Sequence, residues 1–198
     1  MNNTKTNKMS TNTLVLSAVL TALVVILQFM GSFVKLVPFS VSLVLIPIVI
    51  GSATCGALTG AWLGLVFGAI VLISGDAGAF LGVNVLGTIV TVLLKGIACG
   101  FFAGLVYKLL ERINRYVAVI GAAIVCPLVN TGVFLLGCLV FFMDTVTGWA
   151  TAAGLGGNVA QYMIIGLVGG NFLFELGLNI IISPVIVRLL NIRKNRNK

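Results

Sequence analysis

The chain has 198 residues, 60% of them hydrophobic and only 8% charged, with a mean hydropathy of +1.21. Soluble domains are about 45–50% apolar and about 25% charged, so the surplus apolar surface here must face lipid. A soluble globule is excluded, and the absence of His also excludes imidazole metal sites and histidine general bases.

A membrane helix needs ~20 apolar residues to cross a hydrocarbon core ~30 Å thick. Residues 1–12 are polar and read as an N-terminal tail, followed by a transmembrane domain over 13–191 and a basic tail over 192–198. Span one is expected over Leu14–Phe33, closed by Lys35 and Pro38. It runs beyond a signal-peptide core and has no small-residue cleavage site before Lys35, which predicts a retained helix. The apolar region Val41–Ile73 is too long for one helix. A Gly-Ser-Ala-Thr break at Gly51 divides it into a short span two, Val41–Ile50, and a span three, Cys55–Ile73. The run from Ser74 to Gly78 reads as a loop. Span four is expected over Leu86–Leu110, and span five over Val117–Phe142 with Pro127 able to kink it. Asp144–Gly157 reads as a second long loop, and span six covers Tyr162–Leu190 with Pro184 near its end. The expected fold is a compact all-α bundle of six transmembrane helices.

The placement of the charges orients this bundle. Ten of the 12 basic residues lie in three clusters: Lys5 and Lys8; Lys108, Arg112 and Arg115; and Arg188, Arg193, Lys194, Arg196 and Lys198. Six spans put all three clusters on one side, which the positive-inside rule makes cytoplasmic together with both termini. Five spans would place the C-terminal cluster outside. The net charge of +8 is therefore a topology signal in a lipid bilayer rather than a nucleic-acid footprint. Only Lys35 and Lys95 fall elsewhere.

Small residues recur at four-residue steps. Gly56, Gly60, Gly64 and Gly68 form a ridge on span three, Gly96, Gly100 and Gly104 repeat it on span four, and Ala18-x-x-x-Ala22 is a milder version on span one. Such faces let helix backbones approach closely. Packing inside the bundle accounts for the glycine rows, while the patch at Ala18 and Ala22, on a terminal span, suits docking on a separate membrane protein. Cys55, Cys99, Cys126 and Cys138 all sit in apolar stretches without a CxxC and read as small buried hydrophobes.

Polar groups at membrane depth are costly and mark function by default. Lys95 lies roughly 13 Å below the outer end of span four at 1.5 Å per residue. Asn171, Glu175 and Asn179 follow one another at four-residue steps on one face of span six. Asn130 and Thr131 sit near the middle of span five; Asn84, Asn158 and Gln161 stand at the outer mouths of spans four and six. These groups can converge on an outward-facing pocket, with Trp149 or Tyr162 lining or capping it and Lys95 favouring an acidic solute. The alternative is a structural Lys95–Glu175 ion pair with amides bridging helices. No GxSxG, HExxH, paired carboxylates or phosphate-binding loop is present, so this chain is expected to hydrolyse no nucleotide and to carry no cofactor.

The chain resembles the substrate-binding S components of energy-coupling factor (ECF) vitamin transporters. The resemblance spans about Leu14–Leu190. It rests on length, six spans, the basic C-terminus, Ala18-x-x-x-Ala22, the run from Leu45 to Gly51 leading into the glycine ridge, and the segment Lys95–Leu109. It implies a prokaryotic plasma-membrane protein that binds one water-soluble vitamin at its outer side. It also implies docking through Ala18 and Ala22 on a T-component scaffold, which joins two cytoplasmic ABC-type ATPases that use the ATP, and toppling of the bundle to release ligand inside. The stretch Cys126–Gly132 is most similar to the pantothenate branch. Aromatic residues, at 9%, disfavour vitamins held by ring stacking, such as riboflavin, thiamine or folate. A stand-alone secondary transporter is the other reading, although it would be expected to show inverted repeats.

Overall fold

The computed structural model describes residues 11–32 and 43–196, with side chains through residue 188. Lys5, Lys8, Lys35, Pro38, Lys198 and the start of the second span at Val41 lie outside the described residues. The same holds for the side chains of Arg193, Lys194 and Arg196.

The described chain is helical throughout. The order is α1 (Thr11–Ser32), α2 (Leu45–Cys55), α3 (Ala57–Ile73), a single turn α4 (Gly78–Leu81), α5 (Val85–Leu110), α6 (Arg115–Phe141), α7 (Met143–Ala152), a short α8 (Val159–Gln161), a π-helical segment (Tyr162–Gly169) and α9 (Gly170–Arg196). Four helical stretches are long and apolar enough to cross a membrane: Thr11–Ser32, Val85–Leu110, Arg115–Phe141 and Val159–Arg188. Helices α2 and α3 are apolar but shorter, at 11 and 17 residues.

The break between α2 and α3 falls later than the Gly51-Ser52-Ala53-Thr54 segment suggests. Those four residues are helical, and the chain turns at Gly56, whose φ of 97° is open to glycine but strained for any residue with a Cβ. Its N–H closes α2 on the carbonyl of Ser52 at 3.2 Å. Gly56 therefore serves as a helix terminator and not as part of the ridge.

The other glycines of the two rows face each other. A Cβ at Gly64 would strike the carbonyl oxygen of Gly96, and one at Gly96 would strike that of Gly64. Gly60 and Gly100 stand in the same reciprocal relation, Gly68 lies against Val92, and Gly104 against Ala57. The Ser52 hydroxyl adds a hydrogen bond to the Gly100 carbonyl at 2.9 Å, tying α2 to α5. Lipid tails are as apolar as Leu, so this close backbone fit, with its dispersion contacts, replaces the hydrophobic drive that packs soluble helices. The glycine rows are thus spent inside the bundle. Ala18 and Ala22, by contrast, are exposed on α1 beside Val15, Val19 and Ile26.

One expected loop carries a helix, and the other is a turn that leads into one. Asp144–Gly157, read from its Thr and Gly content as a loop, contains α7 and then a glycine-terminated stop. There Gly154 has φ 76°, its N–H bonds the carbonyl of Thr151 at 3.0 Å, and the N–H of Leu155 bonds that of Ala150 at 2.7 Å, the paired bonds of a Schellman ending. Helix α7 holds because Val146 and Ala150, one turn apart, are fully buried, Val146 in one cluster with Phe80, Phe142 and Met163. The Ser74–Gly78 turn likewise leads into α4, which places Phe80 in the same apolar cluster.

Candidate functional site

The cavity lies toward the end of the bundle where α1 and α3 end and α5 begins, opposite the end that carries Lys108, Arg112, Arg115 and Arg188. Its empty space is about 700 Å³ when the open solvent at its mouth is counted.

Each wall comes from a different helix. Helix α5 contributes Lys95 and Val92, α6 contributes Asn130, Thr131 and Phe134, and α9 contributes Asn171, Phe172 and Glu175. Helix α3 adds Phe67 and Val71, α1 adds Gln28, and the turn before α4 adds Asp76. The four-residue spacing of Asn171, Glu175, Asn179 and Ser183 turns one polar stripe of α9 inward, and all four are buried. Only its upper half reaches the cavity. Lower down, Asn179 donates to the Glu175 carbonyl and Ser183 to the Asn179 carbonyl, both at 2.8 Å, so these side chains return to their own helix.

Lys95 is the centre of the arrangement. Its Nζ lies 5.5 Å from the ring centroid of Phe67 and 5.4 Å from that of Phe134, within the range of cation–π attraction. Glu175 and Asp76 line the same cavity. The ion-pair reading and the pocket reading thus concern one place, since both charges face the same space. The amide oxygen of Asn130, buried on α6, accepts no hydrogen bond among the described residues, a costly arrangement in a low-dielectric interior.

Five of the eight residues expected at the site, Lys95, Asn130, Thr131, Asn171 and Glu175, line this one cavity. The other three do not. Asn84 is the N-cap of α5 and accepts a hydrogen bond from the N–H of Gly87 at 2.9 Å; Asn158 is the N-cap of α8 and accepts one from the N–H of Gln161 at 3.1 Å. Gln161 itself is exposed. An Asn directly before an apolar helix is a capping signal, and that chemistry explains both asparagines. Trp149 and Tyr162 do not line the cavity; Trp149 packs edge-on against Phe80 at 5.3 Å, and Phe80 is the lining residue.

Sequence reasoning passed over Gln28, Asp76 and four phenylalanines, Phe67, Phe80, Phe134 and Phe172, all of which line the cavity. Gln28 carried a signal, being an amide within an apolar span. The phenylalanines carried none, because in a chain this apolar they look like ordinary lipid-facing or core residues. Their concentration here also removes the argument from low aromatic content against ring-bearing ligands.

A multi-pass helical membrane protein with a charged, amide-rich cavity is the class that this fold and site define. The family model described as "ECF transporter, substrate-specific component" matches residues 12–187, and the chain belongs to that family. It is accordingly a transport subunit, of a kind that works with a T component and ATPases. Comparison with curated proteins and with solved structures gives no match.

Proposed function

We propose that this chain captures one small water-soluble vitamin at the outer face of a prokaryotic plasma membrane. It delivers the vitamin inward by reorienting on a T-component scaffold coupled to two cytoplasmic ABC-type ATPases. The observation that carries the reading is the convergence of Lys95, Asn130, Thr131, Asn171 and Glu175, from three separate helices, on one cavity. In this reading, residues 13–191 form a six-span binding domain with 1–12 and 192–198 as cytoplasmic tails, and the basic clusters hold that side inward. ATP is used by the partner subunits, and this chain brings no cofactor. Ala18 and Ala22, exposed on α1, meet the scaffold.

Pantothenate is the first candidate ligand. The stretch Cys126–Gly132 resembles that branch, the vitamin's carboxylate suits Lys95, and its amide suits Asn130 and Asn171. A second reading, a ring-bearing vitamin such as riboflavin or folate, is favoured by the four phenylalanines around the cavity. Thermal-shift measurements on the purified chain across the B vitamins decide between them. Stabilisation by pantothenate alone is the expected outcome; stabilisation by riboflavin or folate instead transfers the assignment. If no vitamin raises Tm, the binding reading fails. Co-purification with ATPase subunits separates an ECF module from a stand-alone secondary transporter, which would function without them.

A further inference from the structure

The last membrane-length stretch keeps one buried line at a strict four-residue step: Met163, Leu167, Asn171, Glu175, Asn179 and Ser183 are all buried. A regular α-helix does not hold such a line for long. At 3.6 residues per turn a step of four overshoots one turn by about 40°, so successive members wind away from the core. In the upper part the drift is checked, because Tyr162–Gly169 is π-helical. Its i→i+5 bonds put more residues into each turn, and the four-residue step no longer overshoots. Met163 and Leu167 thereby join the apolar cluster of Phe80 and Phe142, while Asn171 and Glu175, next along the line, border the cavity.

Gly169 suits this wide turn, and a residue with a Cβ does not. A Cβ there would stand 2.9 Å from the carbonyl oxygen of Ile164, five residues back, closer than side chains tolerate. In an α-helix the carbonyl that closes the turn belongs to the residue four back, so the conflict is with the π geometry itself. The cavity borders both sides of this point: Leu167 and Val168 line it from the π segment, and Asn171, Phe172 and Glu175 line it from α9. A π turn inside an α-helix takes in one extra residue. That residue sets the rotation of one group of lining side chains relative to the other.

Resting on the vitamin-binding reading above, we infer that Gly169 is a positioning residue for the ligand: it permits the wide turn that absorbs one residue, and that turn holds Asn171 and Glu175 against the cavity in register with Leu167. Affinity thus depends on a backbone geometry as well as on the side chains that meet the vitamin.

Calorimetry with pantothenate and riboflavin on purified variants tests this, with ligand-free Tm measured alongside. Gly169→Ala sets a methyl group against the Ile164 carbonyl and drives the segment toward α geometry without removing the extra residue, which turns Asn171 away from the cavity. Whichever probe binds the wild-type chain is expected to bind this variant about tenfold or more weakly, the loss of one hydrogen bond. Combining Gly169→Ala with deletion of Gly170 removes the extra residue, so a continuous α-helix returns Asn171 and Glu175 to their places, and most of the lost affinity is expected to come back. Gly177→Ala, on the regular part of the same helix, is the control with unchanged affinity, since an added Cβ there meets nothing within 4 Å beyond its chain neighbours and its own helix backbone. Full affinity in Gly169→Ala overturns the inference. So does an equal loss in Gly177→Ala, or a folded double variant that binds no better than Gly169→Ala. If Gly169→Ala does not fold, the double variant decides: near wild-type binding supports the inference, and absent binding overturns it. All of these outcomes leave the vitamin-binding reading standing. If neither probe binds the wild-type chain, the inference falls, and the vitamin-binding reading falls with it only when the whole thermal-shift panel is silent.

Discussion

Gly64 on α3 and Gly96 on α5 meet backbone to backbone, each occupying the place where the other's Cβ would stand. The contact is reciprocal, and it is repeated one turn away by Gly60 and Gly100. Because α5 also bears Lys95 directly before Gly96, the closeness of these two helices sets the distance from Lys95 to the Phe67 ring on α3.

Gly64→Leu is therefore expected to be severe. Overpacking a well-filled interior costs typically about 1–3 kcal/mol, and here the obstacle is backbone that no rotamer change can clear. A lowered Tm and reduced yield of monodisperse protein are the expected results. Gly132→Ala on α6, where an added Cβ meets nothing within 4 Å beyond its chain neighbours and its own helix backbone, serves as the control with near wild-type Tm.

Removing the cation tests what Lys95 does. Hydrogen bonds to charged groups contribute about 1.5–3 kcal/mol, so Lys95→Ala is expected to weaken an acidic ligand by roughly ten- to a hundredfold. Full affinity in this variant would make Lys95 a structural partner of Glu175. The double variant with Glu175→Gln distinguishes the cases: a structural pair gives recovery of Tm, a binding lysine gives none in affinity.

Asn130 offers a cleaner probe. Its buried amide oxygen accepts no hydrogen bond among the described residues, so Asn130→Ala removes an acceptor that they leave unsatisfied. Ligand-free Tm is expected to hold or rise, while affinity falls by about tenfold, the loss of one hydrogen bond. A large fall in the ligand-free Tm would contradict a binding role.

The outward face of α1 is testable separately from the cavity. Replacing Ala18 and Ala22 by Leu changes exposed positions on α1 that do not line the cavity. Vitamin binding by the purified chain is expected to be unchanged, with uptake in cells lost. Retained uptake would remove this face from the docking surface.

Phe80 joins the cavity to its aromatic surround, lying edge-on to Phe134 at 5.6 Å, Phe142 at 4.9 Å and Trp149 at 5.3 Å. Phe80→Ala opens this cluster, and a cost of about 3–5 kcal/mol in stability is expected for a buried Phe. Phe80→Leu retains most of the volume. If a ring-bearing vitamin is the ligand, this variant lowers its affinity more than that of pantothenate, which calorimetry with both ligands reads directly.

Much of the architecture was legible from composition and periodicity. The apolar runs located α1, α5, α6 and the last membrane-length stretch, Val159–Arg188, to within a few residues, because a helix long enough to cross lipid leaves a signal that tertiary context rarely reverses. Helix α7 was missed because only Val146 and Ala150 of its ten residues face the core, too few to outweigh its Thr and Gly content. The break at Gly56 was displaced for a related reason: Gly51 and Gly56 look alike in sequence, and only the backbone conformation, with φ of 97° at Gly56, distinguishes them.

The sequence by itself determined that this is a helical membrane chain, where its basic residues gather, and which intramembrane groups are costly enough to require a reason. Only the tertiary structure decided which of those groups meet. Lys95, Asn130 and Glu175 are carried by three different helices, α5, α6 and α9, so no local spacing could bring them together. The same holds for Gln28 and Asp76, 48 residues apart and joined by one hydrogen bond. Lipid imposes helices segment by segment, but a cavity exists only between segments, where packing selects the faces that turn inward.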